Sequence, residues 1–77
     1  MKILIFGVTG MLGNTIFKYL VKKKYHVVGT VRTSKKTAHF QDNLLNNIIN
    51  FKNINSLTSL KNVVNSVKPD VVINCIG

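Results

Sequence analysis

Gly7, Gly10 and Gly13, three residues apart in the run Gly7-Val8-Thr9-Gly10-Met11-Leu12-Gly13, carry the clearest chemical signal in this 77-residue chain. Lys2-Ile3-Leu4-Ile5-Phe6 precede them, a short apolar run with the pattern of a strand buried on both faces. After them, Leu12, Ile16, Leu20 and Val21 recur at helical spacing. Glycines between such a strand and helix meet three demands. The chain must turn sharply, its backbone must come close to a bound group, and the helix must lie tight against the strand. The unpaired N–H groups of the helix start then point at an anion. The chemistry is the holding of a diphosphate by main-chain donors.

A second informative place lies about 20 residues further on, where a dinucleotide site that takes NAD carries an acid for the ribose 2′-OH. Val31 and Arg32 stand there, followed by Thr33, Ser34, Lys35 and Lys36. A guanidinium can stack on adenine and pair with a 2′-phosphate, which a carboxylate would repel. The expected cofactor is therefore NADP(H), with NAD(H) as the alternative. Groups that could make or break bonds are scarce. His26 and His39 have no acidic or cysteine partner at ligand spacing, so neither forms a metal site or a general base. Tyr19 and Lys23 fall on the helix that serves the diphosphate.

The elements that must position these residues follow from the pattern. Met11 to Lys23 is the first helix, with lysines gathered where its dipole is negative. The β-branched run 26–31 is a second strand and Ile48-Ile49-Asn50-Phe51 a short third. Residues 32–46 form a polar connection with a short helix near Asp42–Asn46. Ser56 caps a further helix whose Leu57, Leu60, Val64 and Val67 form an apolar stripe. It stops before Pro69, and Asp70 to Gly77 give the fourth strand. The order β-α-β-loop-β-α-β calls for a parallel sheet with right-handed crossovers. The fold class is α/β, the N-terminal half of a Rossmann-type doubly wound sheet with four parallel strands and at least two helices. Residues 1–77 read as one nucleotide-binding domain, incomplete at its C-terminal end.

Composition narrows the function classes. Hydrophobic residues make up 45% of the chain, enough for a packed core, but no run is long enough to span a membrane. The single Cys75 excludes an internal disulfide and a cysteine zinc site, and makes the cytoplasm the expected compartment. Eleven Lys and Arg against two Asp and Glu leave a net charge of +9. These cations are scattered apart from Lys22-Lys23-Lys24 and Lys35-Lys36, without interleaved aromatics, which argues against a nucleic-acid partner.

The glycine run after Ile-Leu-Ile-Phe, Gly-Thr-Val-Arg at 29–32 and Lys-Pro-Asp-Val-Val-Ile-Asn-Cys-Ile-Gly at 68–77 together resemble an extended short-chain dehydrogenase/reductase. Within that superfamily the resemblance is nearest to the dTDP-4-dehydrorhamnose reductase group, and it covers the first quarter of such an enzyme. It implies that Gly10, Met11 and Leu12 meet the pyrophosphate through backbone groups, with Gly7, Thr9 and Gly13 shaping the loop. It places Asn53 and Ile54 beside the adenine, although the family usually has Asp where Asn53 stands. Cys75, Ile76 and Gly77 would line the ribose and nicotinamide side, with Cys75 acting as a small buried hydrophobe.

The activity implied for a full-length parent is NADPH-dependent reduction, or a related epimerisation, of a nucleotide-linked keto-sugar for surface polysaccharide. Its catalytic Tyr-x-x-x-Lys would lie beyond position 77; Tyr19 and Lys23 match that spacing, but on the helix behind the glycine loop, pointing away from any nicotinamide. On this reading the chain is an N-terminal portion with no turnover of its own. The alternatives are a non-catalytic NAD(P)-binding or sensor module, and a basic polyanion-binding domain. The apolar strand Val71 to Ile76 would lie at the sheet edge, open to self-association.

Overall fold

A computed structural model describes residues 1–32, 47–51 and 56–76. The short helix expected near Asp42–Asn46 falls outside them. The described elements are β1 (Lys2–Phe6), α1 (Met11–Lys22), β2 (His26–Val31), β3 (Ile48–Asn50), α2 (Leu57–Val67) and β4 (Val71–Asn74). All four strands are parallel and run in the order β3-β2-β1-β4. The register sets Ile3 beside both Val27 and Val71, and Gly29 beside Ile48. The fold is the α/β arrangement expected, with β1 at the centre.

Each face of the sheet has its own apolar cluster, because successive strand residues point to opposite sides. Ile3, Ile5, Val27 and Val31 pack with Val8 and Phe17 beneath α1. Leu4, Phe6, Phe51 and Val67 form the other cluster, joined by Leu60, Val63 and Val64 of α2. Continuous apolar strands are therefore what two covered faces require. Ser56 caps α2 as expected, its hydroxyl accepting from the Ser59 amide at 3.2 Å.

Strand β4 is shorter than expected. It stops at Asn74, whose side-chain oxygen accepts from the Ile76 amide at 3.0 Å and closes an Asx turn. The Cys75 amide still reaches the Phe6 carbonyl at 2.8 Å, so the chain beyond β4 stays against β1. Similarly, β3 ends one residue early. The Phe51 amide bonds the Val31 carbonyl, and its ring turns inward against Phe6, 6.0 Å between centroids.

Among the described residues β4 pairs on one side only, with β1, and Val71, Val72 and Ile76 are exposed. An open, apolar strand edge is a template for another strand. Sedimentation velocity of the 77-residue chain at physiological salt is expected to show its mean mass rising with concentration. Val72→Lys should suppress that rise by placing a charge on the edge. Equal association by both chains would rule this edge out.

Candidate functional site

In a parallel sheet every strand delivers its following loop to the same edge. Here the glycine loop after Phe6, Arg32 after Val31, and Cys75 after Asn74 all leave from the carboxyl ends of β1, β2 and β4. Because α1 and α2 cover opposite faces, the crossovers diverge on either side of β1. The resulting crevice is where open α/β sheets bind ligands.

The three glycines turn out to have different local causes. Gly7 has φ +84°, a left-handed backbone that favours glycine. A Cβ there would also lie 2.7 Å from Ile76 Cγ1. Gly13 is buried where α1 crosses the end of β1. A Cβ at Gly13 would land on the Gly7 carbonyl and come within 3.1 Å of Cys75 Cβ. Gly10 is unlike both: its φ is −72°, open to any residue, and a Cβ would meet nothing within 4 Å among the described residues. No packing among the described residues requires glycine at position 10.

Gly10 is the N-cap of α1, and no side chain caps this helix. The first turn carries no acid either. Its leading amides therefore receive no side-chain cap from the N-cap residue, in contrast to those of the Ser56-capped α2, and a helix start of that kind suits an outside anion. The side chains of Met11 and Leu12 are 90% and 65% exposed, so what these residues offer at the loop is their backbone. Beside them lies a cleft of about 430 Å³ lined by Thr9, Gly10, Met11, Asn14, Thr15 and Lys18. Asn14, Thr15 and Lys18 are absent from the residues expected above. Their spacing from Met11 (three, four and seven positions) could have identified them as one helix face.

Of the expected site residues, Gly7, Thr9, Gly10, Met11, Leu12 and Gly13 come together in the loop. Cys75 and Ile76 pack against it from β4, through Gly13 and Gly7 respectively. Cys75 is half-buried among the apolar residues under α1, in keeping with a packing role. Arg32 is exposed at the exit of β2, on the same edge. Asn53, Ile54 and Gly77 lie outside the described residues. Tyr19 and Lys23 sit on and just past α1, the Lys23 ammonium 5.6 Å from the Tyr19 ring centroid. At 1.5 Å of rise per residue, Tyr19 is roughly 12 Å along the helix from the loop, too far to serve it. His26 opens β2, at the opposite end of the sheet. Among the described residues no three His, Cys, Asp or Glu side chains gather as a metal site. No described helix is long and apolar enough to cross a membrane.

Two solved structures share this architecture. The methylglyoxal/isovaleraldehyde reductase Gre2 of yeast, complexed with NADPH, superposes with a TM-score of 0.78 over 96% of this chain at 21% identity. Gre2 of Candida albicans gives 0.76 over 96% at 24% identity. The chain spans about a quarter of the length of each, 26% and 24%. At these identities the likeness is one of fold. No curated protein matches the chain. The model of the NAD dependent epimerase/dehydratase family matches residues 3–77, from the first apolar strand through the glycine loop and past the end of β4. The chain belongs to the NAD dependent epimerase/dehydratase family.

Proposed function

We propose that this chain is the dinucleotide-binding portion of a reductase, that it prefers NADPH, and that the parent enzyme reduces a nucleotide-linked keto-sugar in the manner of dTDP-4-dehydrorhamnose reductases. The observation that carries the binding reading is Gly10. It has ordinary dihedrals and, among the described residues, open space at a helix start with no side-chain cap, which suits a partner from outside. The pyrophosphate would lie over Gly10, Met11 and Leu12, and Arg32 would meet the adenosine end. The sugar assignment is supported by the resemblance of the loop and of Lys68–Gly77. The Gre2 of yeast, an aldehyde reductase by its name, supplies a fold likeness that does not choose between aldehyde and sugar.

When bound, the nicotinamide supplies hydride chemistry; the described residues do other work. The α1 amides bind and orient the diphosphate, and Cys75 and Ile76 hold the loop from below. Tyr19 and Lys23 are engaged with each other along α1, away from the crevice. On its own it is expected to bind cofactor without turning it over.

Arg32 gives the direct test of cofactor choice. Charge-assisted hydrogen bonds to a phosphate are worth about 1.5–3 kcal/mol, less where exposed, so Arg32→Ala should weaken NADPH by roughly tenfold. NADH, lacking the 2′-phosphate, should change by less than about twofold. Titration of each cofactor into both chains reads this directly. A parent that prefers NADH, or equal losses for both, would overturn the NADPH preference.

A further inference from the structure

Thr30 is the one buried polar or charged residue among those described, only 2% exposed, and it sits at the end of β2 beside the glycine loop. The regular pairing of β1 with β2 runs from Lys2 and His26 to Ile5 and Gly29 and then stops. From there Thr30 holds the departing chain on the β2 side, while Asn74 and Cys75 keep Phe6 on the β4 side. Its hydroxyl oxygen accepts from the Gly7 amide at 3.1 Å, and its carbonyl accepts from the Val8 amide, also at 3.1 Å. Two consecutive amides of the loop are thus fixed to one residue of the neighbouring strand.

The hydroxyl matters because of what Gly7 must do. Its φ of +84° aims the chain back over the sheet, and an amide in such a turn cannot rejoin the ladder. Among the described residues the Thr30 hydroxyl is the partner of that partly buried N–H, and losing it would leave a buried donor unsatisfied, which the backbone can relieve only by moving. The bond also means that Gly7 supplies the turn and not a donor for the ligand, whose contacts fall to the amides from Gly10 onward.

We infer that Thr30 is a positioning residue for the diphosphate loop, acting through Gly7 without touching the cofactor; this rests on the nucleotide-binding reading proposed above. If losing the hydroxyl leaves the loop in its binding conformation only about a tenth of the time, apparent affinity falls by the same factor. β2 would then serve both ends of the adenosine diphosphate, through Thr30 at the loop and Arg32 two residues later.

The experiment compares Thr30→Val, which keeps the shape and removes the hydroxyl, with Thr30→Ser, which keeps the hydroxyl. Binding of NADPH and of ADP is measured by titration, and exchange of the Gly7 amide by NMR. Thr30→Val should bind both ligands about tenfold more weakly and exchange Gly7 faster, and Thr30→Ser should restore both to within about twofold. Parental binding by Thr30→Val would overturn the inference, as would a Thr30→Ser chain no better than Thr30→Val, which would assign the effect to the methyl. A parent that binds neither ligand would overturn the nucleotide reading along with it; normal parental binding confines any failure to Thr30.

Discussion

Gly10→Val will lose measurable NADPH binding while the chain still folds. Two parts of that outcome have separate causes. The fold tolerates the change because φ at Gly10 is −72° and a Cβ meets nothing within 4 Å among the described residues. Replacing a glycine N-cap by valine costs on the order of 1 kcal/mol, which lowers the melting temperature of a domain this size by about 4–8 °C. Binding does not tolerate it, because the branched side chain would occupy the space over the α1 amides that the diphosphate needs. Its three carbons would hold a phosphate beyond hydrogen-bond reach of those amides, so the expected loss is at least about a hundredfold, the worth of two charge-assisted bonds. Titration calorimetry with a parallel circular-dichroism melt reads both parts. Normal binding by a folded Gly10→Val chain would show that the site lies elsewhere.

Most of this architecture is legible in the sequence, for physical reasons that differ by element. The strands β1 and β2 and both helices are marked by apolar runs and by 3.6-residue periodicity, which burial on two faces enforces. Their ends are less legible wherever a side chain decides them. Asn74 reads as one more residue of a β-branched run, yet its carboxamide ends β4 by capping Ile76. Thr30 is hidden in the same way. In His-Val-Val-Gly-Thr-Val it is an ordinary strand former, and its hydroxyl gains meaning only from Gly7, 23 positions away. The glycine motif announces itself as a unit, but the division of labour inside it needs coordinates. Spacing alone cannot tell that Gly10 faces open space while Gly13 faces backbone. Lys18 and its helix neighbours carry no such mark, because polar residues on an exposed helix face are usually just solvated.

The same motif yields the opposite result three residues on: Gly13→Ala will not fold cooperatively. An added Cβ would overlap the carbonyl of Gly7 and sit 3.1 Å from Cys75 Cβ. The carbonyl belongs to backbone fixed on both sides, since the Gly7 and Val8 amides are bonded to Thr30 and the Cys75 amide to Phe6. It cannot swing aside as a flexible side chain would. The helix must instead move off the sheet, which separates Phe17 from Ile3, Ile5, Val8 and Val27, the cluster it completes. Opening a well-packed contact of this kind typically costs 1–3 kcal/mol for overpacking alone, and more when core contacts are lost with it. A core this small seldom supplies more than about 3–5 kcal/mol, so the loss is comparable to the whole. Urea and thermal melts followed by circular dichroism should show a broad, non-cooperative transition for Gly13→Ala and a sharp one for Gly10→Ala. If Gly13→Ala melts within about 5 °C of the parent, the helix has room to shift, and the tight α1–β1 contact is not what requires glycine there.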